Sequence, residues 1–198
     1  MTDWDARYAE EGWAFGTEPN DFLREQAHQL PPGRVLCLAE GQGRNAVWLA
    51  QGGHDVTAMD QSAFGLEGAR QLAAKRGVKI TTVRADLAEF EIEPGAWAGI
   101  VSIYAHVARD IRARTHAQVE RGLAPGGVFL LEAYRPEQIG RGTGGPPEDE
   151  RMVNLERLRR ELPTLEFVIA REVDREVLEG HRHRGMSSVV QLVARRRG

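Results

Sequence analysis

Along the chain, short continuous apolar runs alternate with longer segments in which apolar positions recur at helical spacing. Runs at 35–38, 54–59, 79–83, 96–104 and 128–132 have strand length and turn residues at their borders. The last two are apolar enough to be buried on both faces. Helices are expected at 3–10, 18–29, 63–76, 110–122 and 153–161, and one more that includes Val47, Leu49 and Ala50. Ser62 can cap the helix at 63–76, and Gly77 can end it. Two further apolar runs, 167–173 and 187–194, are separated by a polar connection without helical period, which reads as a hairpin.

Strands that alternate with helices imply an α/β fold: a parallel, doubly wound sheet with right-handed crossovers and helices on both faces. The terminal hairpin adds at least one antiparallel strand. No repeat or linker divides the chain, so residues 1–198 are expected to form one domain. Its parts are a helical N-terminal cap at 1–30, a cofactor-binding core at 34–133, a Gly/Pro-rich loop at 134–150 and the hairpin at 164–197. Trp4, Tyr8, Trp13 and Phe15 crowd aromatic surface into the cap, which suits either packing on the sheet or a lid over a ligand. A loop as long as 134–150 suits either a mobile active-site loop or a plain surface excursion.

Composition adds exclusions. The 198 residues are 41% hydrophobic and 28% charged, as in an ordinary globular protein, and a formal net charge of -3 gives no hint of a nucleic-acid footprint, so no nucleic-acid partner is expected. The single cysteine, Cys37, precludes an internal disulfide and sits where a buried structural thiol is expected. No signal-like apolar segment opens the chain, and no run reaches the roughly 20 apolar residues of a membrane helix. A soluble cytoplasmic protein is the expectation. His181-Arg182-His183-Arg184 has no matching cluster elsewhere, so it reads as a solvated turn, and no metal is expected.

Candidate chemistry gathers at the ends of the strands. Glu40-Gly41-Gln42-Gly43 joins the first strand to a helix, and its glycines permit a sharp turn and close approach of a nucleotide-like ligand to unpaired helical N–H groups. Asp60 and Asp86 follow the second and third strands. Ligands bind outside such carboxyl ends, where Asp60 could accept from a ribose diol and Asp86 from an adenine amino group. Gly41-Gln42-Gly43-Arg44-Asn45-Ala46 also fits a dinucleotide pattern, leaving an NAD-dependent oxidoreductase open. Glu40 sits poorly beside a pyrophosphate, however, and the terminal hairpin is not the usual second half of a dinucleotide fold.

Together the glycine turn, Asp60, Asp86-Leu87, the Leu123-Ala124-Pro125-Gly126-Gly127 turn and the hairpin resemble a class I S-adenosylmethionine-dependent methyltransferase over nearly the whole chain. Gly41-Gln42-Gly43-Arg44-Asn45, Tyr134-Arg135-Pro136-Glu137-Gln138 and Thr143-Gly144-Gly145-Pro146 are similar to the small tellurite-resistance and thiopurine-type members. The resemblance implies a Rossmann-like mixed sheet of seven strands and S-adenosylmethionine as cofactor. It places Ala39, Glu40, Gly41, Gly43, Arg44, Asn45, Asp60, Gln61, Ser62, Asp86, Leu87, Tyr104 and His106 at the cofactor. Cys37 and Ala39 depart from the class, which usually has an acid and a glycine there. Glu40 or Arg44 is the expected substitute at the methionine end, Arg44 by pairing with the carboxylate.

Methyl transfer from a sulfonium needs alignment above all. Tyr104, His106, Tyr134 and Arg135 follow the fourth and fifth strands and are the candidates for contact with a small-molecule acceptor: His106 as base or donor, Arg135 as an attraction for an anion. A thiolate or reduced chalcogen oxyanion would need little or no base, whereas an amine or hydroxyl would. A non-catalytic S-adenosylmethionine or nucleoside binder is the second reading and an oxidoreductase the third.

Overall fold

The apolar runs become one sheet. In the computed structural model, which describes residues 4–9, 12–180 and 183–198, the strands are β1 (Arg34–Leu38), β2 (Asp55–Asp60), β3 (Thr81–Arg84), β4 (Trp97–Ile103), β5 (Leu123–Tyr134), β6 (Glu166–Glu179) and β7 (His183–Arg195). Their order is β3-β2-β1-β4-β5-β7-β6. The first five are mutually parallel, and β7 runs antiparallel to both β5 and β6. This is the expected mixed Rossmann-like sheet.

Strand periodicity divides the core into two layers. Val35 and Cys37 point to one face with Ala46, Leu49 and Leu66, whereas Leu36 and Leu38 point to the other with Val119, Leu158 and Leu162. The first layer is closed by α2 (Asp21–Gln26), α3 (Arg44–Gln51) and α4 (Ala63–Lys75), the second by α5 (Arg109–Gly122) and α6 (Leu155–Glu161). Cys37 is fully buried, and burial pushes its thiol well up. On the second face, Glu161 of α6 holds Arg112 and His116 of α5 at 2.9 and 2.7 Å, joining the two helices through a buried ion cluster.

Some boundaries differ from the sequence reading. The helix expected at 18–29 is α2 followed by a 3₁₀ turn at Ala27–Gln29, because Asn20 caps α2 by accepting from the Leu23 N–H. The hairpin is longer than expected: β6 and β7 continue through the polar connection, paired as far as Glu179 and His183. Arg175 and Glu179 alternate with exposed residues and face inward, so strand period persists where hydrophobicity does not. His181 and Arg182 of the expected solvated turn lie outside the described residues. A short N-terminal helix, α1 (Trp4–Ala9), lies against α4. No helix among the described residues is long and apolar enough to cross a membrane.

Candidate functional site

Beyond the end of β1 the backbone takes three left-handed steps, at Ala39 (φ 49°), Gly41 (φ 62°) and Gly43 (φ 84°). Gly43 has to be small: a Cβ there would lie 2.8 Å from the Ala69 Cα of α4. Asp60, at the end of β2, fixes the turn by accepting from the Gly41 N–H through one carboxylate oxygen and from the Ser62 N–H through the other, each at 2.8 Å. Glu40 caps α3 from outside, one oxygen accepting the N–H groups of Asn45 and Ala46 at 2.8 Å each. Burial pushes the Glu40 carboxyl up to about 7 against these hydrogen bonds and the Arg44 charge. Burial likewise raises Asp60, opposed by the Ser62 and Gly41 amides.

These groups open on a cavity of about 250 Å³ across the carboxyl ends of the parallel strands. Of the residues expected at a cofactor, Ala39, Glu40, Arg44, Asn45, Asp60, Gln61, Asp86, Leu87, Tyr104 and His106 line it. Gly41, Gly43 and Ser62 stand behind that wall, shaping it: Ser62 caps α4 at the Gly65 N–H and donates to Asp5 of α1. The opposite wall brings Trp4, Tyr8 and Phe15 from the N-terminal segment and Gly145, Pro146 and Pro147 from the Gly/Pro-rich loop. Trp4 stacks on Tyr8 with centroids 5.7 Å apart. Tyr8 in turn covers Gly41, where a Cβ would meet its hydroxyl at 2.3 Å. Trp13 packs instead against the α3–α4 layer.

Arg44 is the unusual wall residue. It is only 7% exposed, its Nη2 donates to Glu179 at 2.6 Å, and its buried Nη1 has no hydrogen-bond partner among the described residues. A buried guanidinium nitrogen without an acceptor is costly, and a ligand carboxylate would satisfy it with a charge-assisted bond. Glu40 offers the opposite charge a short distance along the same wall, and Asp60 and Asp86 supply acceptors beyond it. The set fits a ligand with a zwitterionic amino-acid end and a nucleoside end.

Toward the other end of the cavity, Tyr104, His106 and Tyr134 form a pile of rings, with Tyr104 and Tyr134 centroids 4.6 Å apart and those of His106 and Tyr134 5.3 Å apart. Tyr104 is held left-handed at φ 56° immediately after β4, a conformation that persists in bulky residues only where surroundings impose it. Its hydroxyl donates to Glu132 at 2.7 Å, and burial, then the Glu132 charge, pushes the phenol well up. His106 Nε2 accepts the Tyr134 N–H at 3.0 Å, so the imidazole proton sits on Nδ1. Tyr134 is fully buried behind that ring and is not in the cavity wall. Arg135 also lies off the wall, pairing with Asp174 at 2.9 Å and Glu172 at 3.4 Å on β6. These two sequence candidates therefore do not reach the cavity: strand alternation turns Tyr134 into the core, and the acids of the neighbouring hairpin draw Arg135 away.

Beneath the site lies a polar network that sequence reasoning missed. Glu132 of β5, fully buried, accepts from Asn20, Tyr104 and Arg175 at 2.8, 2.7 and 2.9 Å. Glu179 of β6 accepts from Asn20 at 2.7 Å, Arg44 at 2.6 Å and Arg175 at 3.2 Å. Among the described residues, two carboxylates thus face two guanidiniums. The only signal in the sequence was inward-facing charge at strand period in a segment that reads as a loop.

A family model described as "Methyltransferase domain" matches residues 35–127, which include the glycine turn, Asp60, Asp86, the strands β2 to β4 and all of β1 but Arg34. The chain is 29% identical over 137 residues to a glycine/sarcosine N-methyltransferase of Halorhodospira halochloris, covering 67% of this chain and 48% of that one. It is 25% identical over 150 residues to a 2-heptyl-1-hydroxyquinolin-4(1H)-one methyltransferase of Mycobacteroides abscessus, covering 72% and 66%. The chain therefore spans about half to two thirds of the length of these relatives. Its fold is also that of TehB from Haemophilus influenzae, with a TM-score of 0.73, 21% identity and coverage of 89% of this chain and 62% of that one.

Proposed function

Because the chain belongs to the class I S-adenosylmethionine-dependent methyltransferases, with S-adenosylmethionine as cofactor, we propose that it methylates a small molecule through a soft nucleophile such as a thiolate or a reduced chalcogen oxyanion. When bound, the cofactor supplies an electrophilic methyl group whose leaving group departs as a neutral thioether without a proton. What remains for the protein is to bind, align and dry the reacting pair. Asp60 and Asp86 are the acceptors for the ribose diol and the adenine amino group, Glu40 for the ammonium and Arg44 the donor to the carboxylate. Trp4, Tyr8 and Phe15 exclude water from the opposite side. Alignment of this kind is worth on the order of 7 to 11 kcal/mol.

The observation that carries the choice of acceptor is the His106 hydrogen bond. With Nε2 occupied by the Tyr134 N–H, that nitrogen takes no proton from an incoming nucleophile, while Nδ1–H can donate. Tyr104 is a poor base as well, since its hydroxyl already donates to Glu132. An acceptor that arrives deprotonated suits these walls. The name of the Halorhodospira relative points to an amine instead, so amines belong in the test.

The test is calorimetry with S-adenosylmethionine, S-adenosylhomocysteine and NAD, followed by turnover on thiols, selenium and tellurium oxyanions, amines and hydroxyquinolones. Binding of the first two and turnover on thiols or oxyanions is expected. Turnover confined to amines or hydroxyls would overturn the soft-acceptor reading; binding of S-adenosylmethionine without any turnover would favour a non-catalytic binder.

A further inference from the structure

We infer that Glu179, from the C-terminal hairpin, is a positioning residue for the cofactor's methionine end, acting through Arg44. The inference rests on the S-adenosylmethionine reading. Glu179 does not itself line the cavity, is 5% exposed, and lies 135 positions along the chain from Arg44. Its Oε2 takes the Arg44 Nη2, while its Oε1 is held by Asn20 and Arg175. A carboxylate anchored on one oxygen and bonded to Arg44 Nη2 through the other holds that end of the guanidinium in place. Arg44 lines the cavity, and its remaining Nη1 is buried and has no acceptor among the described residues.

Two features set this apart from ordinary core filling. A guanidinium offered to a buried carboxylate is most stable when both of its Nη groups are used, yet here one is left over. Glu179 also joins Arg44 to Arg175, which pairs in turn with Glu132, so the guanidinium at the cavity is tied into a buried network. Glu179 and its partners lie on segments outside residues 35–127, Arg44 excepted. This hairpin would thus complete a cofactor site that the matched segment holds only in part.

The experiment compares S-adenosylhomocysteine, which has the amino-acid end, with methylthioadenosine, which has the nucleoside and sulfur but not that end. Affinities are measured by calorimetry for the wild type, Glu179→Gln and Glu179→Asp, with circular dichroism to establish folding. The expected result is a loss of about tenfold or more for S-adenosylhomocysteine in Glu179→Gln, a loss of under about threefold for methylthioadenosine, and an intermediate loss in Glu179→Asp, which keeps the charge but withdraws the oxygen. Equal weakening of both ligands, or no change in either, would overturn the inference and leave the methyltransferase reading intact. Failure of the wild type to bind either ligand would instead undo the reading on which it rests. Should Glu179→Gln not fold, the Glu179→Asp ratio decides by the same criterion.

Discussion

His106 and Tyr134 are joined twice: the imidazole accepts the Tyr134 N–H at 3.0 Å, and the two rings stack with 15° between their planes. One side chain is thereby pinned in position and in tautomer by the strand beside it. A histidine so held is a donor at Nδ1 and a wall.

For His106→Asn the expected result is a modest fall in turnover, about tenfold or less, because an asparagine can still accept the Tyr134 N–H. Removal of a general base costs roughly 10² to 10⁴-fold. Steady-state rates on the best acceptor of the panel decide between the two, and a loss in the larger range would restore His106 as base.

Ala39 sits at φ 49°, where a β-carbon is strained by about 1 to 2 kcal/mol and a glycine is not. Ala39→Gly is expected to relieve that strain, less the extra freedom glycine gains when unfolded, for a net rise in melting temperature of about 1 to 4 °C. Gly43→Ala is the opposite case, since its Cβ would strike the α4 backbone at Ala69. Thermal denaturation of both variants checks the pair; a fall for Ala39→Gly would show that the turn is not strained.

Glu40 gives a pH signature. Its folded pKa of about 7 lies above the usual carboxylate value near 4.3, so the folded protein favours the protonated form. The stability this contributes is fully present below about pH 4 and is lost as pH rises through 7. Relative to the wild type, ligand-free Glu40→Gln is therefore expected to gain stability between pH 4.5 and 7 and to level off above, as read by urea unfolding at several pH values. The same variant is expected to bind S-adenosylmethionine more weakly at pH 8, having lost the charge opposite the ammonium.

On the other face, burial pushes the Glu161 carboxyl up, but the hydrogen bonds from His116 and Arg112 outweigh it and hold it at about 2. The depressed pKa contributes stability above the usual carboxylate range that is lost as pH falls toward 2. Glu161→Gln should cost roughly 3 to 5 kcal/mol at neutral pH, the range for breaking a buried pair, and progressively less in acid. Chemical denaturation at pH 7 and pH 3 measures both. Equal losses at the two pH values would exclude the ion cluster as the cause.

Much of the architecture was legible because local signals agreed. Apolar runs of strand length, Ser62 before an amphipathic helix and glycines at the β1–α3 turn each point to the same element. The two-layer core follows from alternation at Val35, Leu36, Cys37 and Leu38. The outer half of the hairpin was not legible, because Arg175 and Glu179 look solvated in the sequence and meet their long-range partners only when Glu132 of β5 and Arg44 of α3 come beside them. In the cavity, Glu40, Arg44, Asp60, Asp86, Tyr104 and His106 were within reach of the sequence, since each follows a parallel strand or sits in the turn after one. Tyr134 and Arg135 follow a strand too. Which way a residue faces at a strand end depends on register with β7, and the sequence does not print that register.

Asn20 donates to Glu132 and Glu179, 112 and 159 positions further along the chain. These spans set an order of events during synthesis. The ribosome can release β1 to β4, four of the seven strands, while Arg44 still lacks its counter-ion, because residue 179 has not emerged. At roughly 5 to 20 residues per second, that interval lasts several seconds, and long-range pairings of this kind are also the slow ones once the chain is free. Until the hairpin docks, Arg44 lacks the Glu179 carboxylate it pairs with in the finished fold.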